Sequence, residues 1–195
     1  MLIDYNSLLI ALSFSGMTAL VAILVSWLNA RRDRYLLFTA IGLGLVSLGL
    51  IMMGLRNGRF DLVTLFWPFS TILVGLSFAY AGTRFFLNKP GIRTPVLVGL
   101  ATLTMFNAPL LLGYWGLAFA AINAGVATIM LLCAREYWDV KNDLRGAALT
   151  LAGLFATMAA SYALNAVAVG LAGDWVNYPV DDSWFDNLNA ITSLI

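Results

Sequence analysis

Histidine is absent from this sequence, and cysteine occurs only once, as Cys133. Histidine is the commonest protein ligand of metals and haem and the commonest acid–base group near neutral pH, so its absence excludes histidine-ligated zinc and bis-histidine haem sites. We therefore expect no metal and no cofactor. A single thiol cannot form an intrachain disulfide, and we interpret Cys133 as a small buried or lipid-facing residue.

Charged residues are also scarce. They make up 11% of the chain, hydrophobic residues make up 61%, and the mean hydropathy is +0.87. A typical soluble domain has roughly a quarter charged residues, and a water-soluble fold could not bury this much apolar surface. The net charge of +1 lacks the clustered basic excess of a nucleic-acid surface. The composition predicts an integral membrane protein that does not bind nucleic acid.

The sequence motifs of common enzyme classes are missing as well. There is no G-x-S-x-G, no H-E-x-x-H and no glycine-rich phosphate loop. We expect this chain to have no catalytic residues and not to be an enzyme.

Six apolar segments are long enough to cross a membrane, since a helix needs about 20 apolar residues to do so. A seventh apolar block runs from Phe185 to Ile195 and is too short to span. We predict an all-α polytopic bundle of six full helices plus a truncated seventh, forming one membrane-embedded domain over residues 1–195. A cytoplasmic output domain is expected beyond Ile195; the alternative is a short re-entrant or interfacial terminal helix. The predicted crossings cover residues 8–28, 36–55, 62–86, 95–112, 114–133 and 146–171.

The distribution of basic residues predicts the orientation, because lysine and arginine near helix ends are retained in the cytoplasm. Three alternate loops share one side and carry nine basic residues, whereas the other side carries only Arg56 and Arg59. The amino terminus is therefore predicted outside, in a multi-pass protein of a bacterial inner membrane. The first segment carries Asp4 instead of a basic start, so we expect it to be a retained helix and not a signal peptide. The nine basic residues are Arg31, Arg32, Arg34, Arg84, Lys89, Arg93, Arg135, Lys141 and Arg145.

No ionisable side chain falls in the middle of a predicted crossing, and this weighs against a proton pump, an ion-coupled transporter or a voltage sensor. Milder polar and aromatic residues do lie within crossings three to six. The aromatic residue Trp67 is explained equally well as part of the interfacial aromatic belt or as part of a ligand pocket. The polar residues have two interpretations: interhelical hydrogen bonds that fix packing, or the lining of a ligand pocket in the outer half of the bundle. Pro68 favours the second, because a proline kink opens space between helices. The candidate pocket residues are Trp67, Asn107, Asn123, Tyr162 and Asn165.

Small residues recur at helical spacing, as in Gly75, Ala79 and Thr83, and let helices approach closely. Packing within one chain and a dimer seam that includes Gly42 and Gly49 both fit this pattern.

The outer loop after the sixth crossing combines carboxylates with aromatic rings. Such a loop could bind a cation or an amine, although its spacing does not match a calcium-binding loop. The other interpretation is a solvated acidic loop with interfacial aromatic residues. The candidate contacts are Asp174, Trp175, Asp181, Asp182 and Trp184.

One stretch resembles a known family. Residues 78–90 read FAYAGTRFFLNKP, with a tyrosine, a small residue and glycine before an aromatic-basic run that ends in proline. This resembles the end of the third helix in the amino-terminal membrane regions of bacterial GGDEF-type diguanylate cyclases. Residues 31–58, with Arg31, Arg32, Tyr35 and the Leu55 to Gly58 turn, are similar to the first two helices of those regions, and the similarity covers roughly residues 7–140.

The resemblance implies a sensory or anchoring input domain whose seventh helix continues into a cytoplasmic domain that makes cyclic di-GMP as a dimer. The GGDEF motif is absent, so no cyclase residue carries over. Our leading hypothesis is a homodimeric membrane sensor or anchor that responds to a small-molecule or periplasmic signal. Two alternatives stay open: a small carrier or channel for a neutral or lipid-like solute, and a structural or assembly membrane protein.

Overall fold

The structure is a computed structural model that describes residues 5–56, 60–89, 91–140, 144–173 and 175–177. Within these ranges the chain forms α-helices joined by short turns, and no strand. The helices are α1 (Tyr5–Asn29), α2 (Arg34–Gly54), α3 (Leu62–Phe86), α4 (Arg93–Leu111), α5 (Trp115–Trp138) and α6 (Arg145–Ala172).

Six helices are long and apolar enough to cross a membrane, as the sequence predicted, so the described chain is an all-helical, multi-pass membrane protein by length and composition. One boundary differs in a way that matters. The fifth crossing was predicted to stop at Cys133, before the first charged residue, but α5 continues to Trp138. The predicted end was set by the first charged residue after the apolar run. The helix itself continues past that residue, and Glu136 in its last turn is paired with cations from α3 and the turn after it. The block 185–195, predicted as a truncated seventh helix, lies outside the described residues.

Local signals set the ends of several helices. At the start of α3, the Asp61 carboxylate accepts a hydrogen bond from the Thr64 backbone N–H at 2.8 Å, and the Thr64 hydroxyl accepts one from the Asp61 N–H at 2.9 Å. This reciprocal capping box satisfies two N–H groups that the first turn leaves without helical partners. At the carboxyl-terminal end of α6, the helix stops at Gly173, whose φ of 73° lies in the left-handed region that glycine adopts without strain.

Neighbouring helices pack antiparallel, and glycines let α2 and α3 lie in close contact. A Cβ atom added at Gly42 would lie 2.7 Å from the Gly75 carbonyl oxygen, and one at Gly75 would lie 2.7 Å from the Gly42 oxygen. Further along, a Cβ at Gly49 would meet the Pro68 oxygen at 2.8 Å. These glycines therefore serve packing within one chain, the first of the two interpretations. Gly153 on α6, by contrast, has open space beside it.

The alternating directions give the bundle two ends. The basic end carries the turns α1–α2, α3–α4 and α5–α6, and the opposite end carries the turns α2–α3 and α4–α5 together with the residues after α6. Helix α5 is the most buried of the six and contacts α3, α4 and α6. Its inward stripe, Ile122, Val126, Ile129 and Cys133, packs in the core with Leu73 and Tyr80 of α3.

Candidate functional site at the basic end

Glu136 is the only glutamate in the sequence, and the structure buries it in the last turn of α5. Only 8% of its surface is exposed. One carboxylate oxygen, Oε1, accepts hydrogen bonds from Arg84 Nη1 at 2.9 Å and from the Tyr80 hydroxyl at 3.3 Å. The other oxygen, Oε2, accepts from Lys89 Nζ. We call Tyr80, Arg84, Lys89 and Glu136 the ionic cluster.

The local fold of α3 explains how three of these groups reach one carboxylate. Tyr80 and Arg84 are four residues apart, so both side chains lie on the face of α3 that meets α5. After the helix ends, Asn88 adopts a left-handed conformation with φ 54°, and the Lys89 N–H donates to the Arg84 carbonyl oxygen at 2.9 Å. Asparagine tolerates this conformation better than most residues. The turn thus folds Lys89 back over the end of the bundle.

The position of Glu136 is electrostatically unfavourable for a carboxylate without nearby cations. A carboxylate at a helix carboxyl terminus faces the negative end of the helix dipole, and burial also removes its hydration. Arg84 and Lys89 supply two opposing positive charges, and Asp139 lies beyond them with Oδ2 at 3.7 Å from Lys89 Nζ. With two cations and two carboxylates, the ionic cluster together with Asp139 is formally neutral.

A cleft of about 650 Å³ opens beside the ionic cluster. Lys89, Glu136 and Asp139 form part of its polar wall, and the start of α6 supplies an apolar wall that includes Ala147 and Leu151. Its size is within the range of small-molecule sites. The cleft therefore combines charged groups and an apolar surface at the end of a membrane-spanning bundle.

Two other cavities are almost wholly apolar. A groove of about 890 Å³ runs between α4 and α5, lined by exposed side chains such as Leu97, Leu100 and Met105. A smaller cavity of about 170 Å³ lies among α2, α3 and α4, next to Phe38 and Gly99. Neither contains a charged side chain, so both suit lipid chains better than a polar ligand.

The predicted pocket residues occupy different settings. Trp67 is more than half exposed, with its ring edge-on to Phe66 at 5.2 Å. Asn107 Oδ1 accepts from the Ser70 hydroxyl at 3.2 Å and so joins α4 to α3. Asn123 is buried and donates to the Phe119 carbonyl oxygen of its own helix at 2.8 Å.

The two candidates on α6 both lie partly or fully inside the bundle. Tyr162 is partly buried against the core, and Asn165 is 1% exposed. None of the five predicted pocket residues lines any of the three cavities. The Asn107 hydrogen bond joins two helices, as the packing interpretation requires, whereas that of Asn123 stays within α5. A ligand pocket at these five residues stays a prediction.

The candidate outer contacts lie largely beyond what the structure describes: Asp174, Asp181, Asp182 and Trp184 are outside the described residues. Trp175 is described and docks on the opposite end. Its carbonyl oxygen accepts from the Leu117 N–H at 3.2 Å, and the Val176 oxygen accepts from the Trp115 N–H at 3.3 Å. The Trp175 ring packs over Gly170. We call these two hydrogen bonds the α5 clamp.

The ionic cluster was not predicted from the sequence, because its charged residues lie near helix ends, where charges are expected to belong to loops. A signal was nonetheless present: the buried stripe of α5 continues at helical spacing from Ile129 through Cys133 to Glu136. A single glutamate on an apolar stripe indicates a buried ion pair when basic residues elsewhere in the chain lie at the same end of the bundle.

No protein-family model, curated protein or solved structure matches this chain. The class that the fold defines is a multi-pass helical membrane protein.

Proposed function

We propose that the chain is a membrane sensory or anchoring input domain of a bacterial signalling protein, with its amino terminus outside the inner membrane. In this proposal, a seventh helix leads to a cytoplasmic output domain, in line with the resemblance to diguanylate cyclase membrane regions, and the protein acts as a homodimer. A signal at the opposite end changes how α5 sits against its neighbours. The ionic cluster at the basic end responds to that change.

The arrangement of α5 is the observation that carries this proposal. At one end its first turn is joined by the α5 clamp to the chain that leaves α6. At the other end Glu136 binds groups from α3 and from the turn that follows it. A single buried helix of 24 residues thus has specific polar contacts at both ends. An element whose position can be biased from both ends can couple the two sides of a membrane.

The charge pattern supports the orientation. In the described ranges every charged side chain lies in a turn or in the first or last turn of a helix. The basic end holds most of the lysines and arginines and would face the cytoplasm. Coupling would then run from the exterior toward the side where an output domain finds its nucleotide substrate.

Cysteine accessibility tests the orientation. In a Cys133→Ala background, a cysteine replaces Arg32 at the basic end or Leu112, which is 74% exposed at the opposite end. We expect a membrane-impermeant maleimide to label the Leu112→Cys protein in intact spheroplasts. The Arg32→Cys protein should react only after permeabilisation. The reverse pattern would place any output domain outside the cell and exclude this mechanism.

The signalling role is tested on the full-length protein. We expect its coding sequence to continue past residue 195 into an output domain, and cellular cyclic di-GMP to rise when it is expressed. Solute flux from this chain alone in liposomes would favour the carrier alternative. A stable partner protein on purification, with no second messenger formed, would favour the assembly alternative.

A further inference from the structure

We infer that the cleft beside the ionic cluster binds the headgroup of an aminophospholipid of the phosphatidylethanolamine class. This inference depends on the membrane location of the bundle but not on the proposed signalling role or on which end faces the cytoplasm. Three features of the cleft support it: its depth, its two kinds of wall, and the charges that line it.

The cleft lies at the level where lipid headgroups sit. It opens at the carboxyl-terminal end of α5 and the amino-terminal end of α6, where the apolar spans give way to charged turns. Trp138 is 69% exposed beside it, in the position that interfacial tryptophans favour. A molecule that fills this cleft from the bilayer must bring a polar group and an apolar chain together.

The two walls match those two parts. The α6 wall is formed by small and branched apolar side chains at the start of the helix: Leu144, Ala147, Ala148 and Leu151. It leaves room for an acyl chain, because alanine occupies two of the four positions. The opposite wall carries Asn88, Lys89 and Asp139, all able to hydrogen bond.

The charges select the headgroup. Lys89 has three N–H donors and gives one to the buried Glu136, so others can reach a phosphate oxygen. Asp139 is 59% exposed, and its Oδ2 lies 3.7 Å from Lys89 Nζ, longer than a hydrogen bond. That carboxylate can accept from an ammonium group. A phosphate and a primary ammonium a few bonds apart therefore fit the pair Lys89 and Asp139.

The same charges disfavour the other common headgroups. The quaternary ammonium of phosphatidylcholine has no N–H to donate to Asp139. Phosphatidylglycerol can present its phosphate to Lys89 in the same way, but it has no ammonium group, so its net negative charge would lie beside Asp139 with no cation of its own to offset that carboxylate. Charge-assisted hydrogen bonds discriminate between headgroups because a charged group that loses water on binding, and gains no partner, weakens the affinity.

The test is native mass spectrometry of the purified chain, titrated in detergent with dioleoyl phosphatidylethanolamine, phosphatidylcholine or phosphatidylglycerol. We expect phosphatidylethanolamine to bind about tenfold more tightly than either of the others. Asp139→Asn should reduce phosphatidylethanolamine binding to the phosphatidylcholine level, and Ala147→Trp should block all three lipids by filling the apolar wall. Arg32→Gln, an exposed change at the same end but outside the cleft, should leave binding unchanged.

Three results would overturn the inference. Equal affinity for phosphatidylethanolamine and phosphatidylcholine would show that Asp139 does not receive the ammonium. Preference for phosphatidylglycerol would show that the basic end attracts lipids only by its overall charge. Competition by free phosphoethanolamine at the same affinity as the lipid would show that the α6 wall contributes nothing and that the ligand is a soluble amine.

Discussion

The two ends of α5 are held by different kinds of contact. At the basic end a buried carboxylate binds side chains that lie 47, 52 and 56 residues away in the sequence. At the opposite end the first turn of α5 binds backbone carbonyl oxygens of Trp175 and Val176. The first contact depends on which side chains are present, and the second depends on the path of the chain. A substitution can therefore break the ionic cluster by changing one charge, whereas a side-chain change within α5 leaves the clamp hydrogen bonds in place unless it removes a backbone N–H, as proline does.

The largest effect is expected from Glu136→Ala. Removing the carboxylate leaves the largely buried Arg84 without its counterion, whereas Lys89 is exposed enough to be hydrated. Breaking a buried pair in this way costs about 3–5 kcal/mol. We expect that loss in the free energy of unfolding, measured by sodium dodecyl sulfate titration in mixed micelles with tryptophan fluorescence.

The neighbouring Arg135 provides a matched control, since it lies in the same turn and is exposed. Arg135→Ala should change the unfolding free energy by less than about 0.5 kcal/mol. If the two variants unfolded alike, the ionic cluster would not stabilise the basic end, and the contrast between the two ends of α5 would disappear.

A smaller effect is expected at the α5 clamp from Leu117→Pro. Proline removes the N–H that binds the Trp175 oxygen, and the first turn of a helix tolerates proline because that N–H has no helical partner. The preceding residue is Gly116, which lacks the Cβ that would clash with the proline ring. One lost hydrogen bond should lower the unfolding free energy by about 1 kcal/mol relative to Leu117→Ala.

Hydrogen exchange at the amide of Trp115, the other donor of the clamp, sharpens this comparison. We expect faster exchange at Trp115 in Leu117→Pro than in Leu117→Ala, because the docked segment loosens. Unchanged exchange would mean that residues 175–177 are held by the Trp175 ring on Gly170 and not by the clamp.

The smallest effect on stability is expected from Asp139→Asn. This carboxylate is largely exposed and lies 3.7 Å from Lys89, and exposed pairs contribute about 0–1 kcal/mol. We expect an unfolding free energy within about 0.5 kcal/mol of the unmodified protein in lipid-free micelles. A loss as large as that of Glu136→Ala would make Asp139 part of the buried network, and its use as a lipid-binding probe would fail.

The predictions of apolar helices and the predictions of site residues had different outcomes. Six long apolar helices were confirmed, because each depends on a continuous apolar run, which is a property of neighbouring residues in the sequence. Trp67, Asn107 and the acidic loop were predicted as site residues because a polar or aromatic residue within or beside an apolar run stands out in the sequence. Glu136 was not predicted, because the fifth crossing was predicted to end at Cys133, five residues before the end of α5.

The sequence by itself determined the class of this protein, the number of apolar spans and the crowding of basic residues in alternate loops. These follow from hydrophobicity and charge, which are summed along short stretches of chain. Only the tertiary structure decided that Arg84, Lys89 and Tyr80 meet one carboxylate, and that the chain after α6 binds the first turn of α5. Such contacts depend on which helix faces lie together, and that is settled by close packing over the whole bundle, as at Gly42 and Gly75.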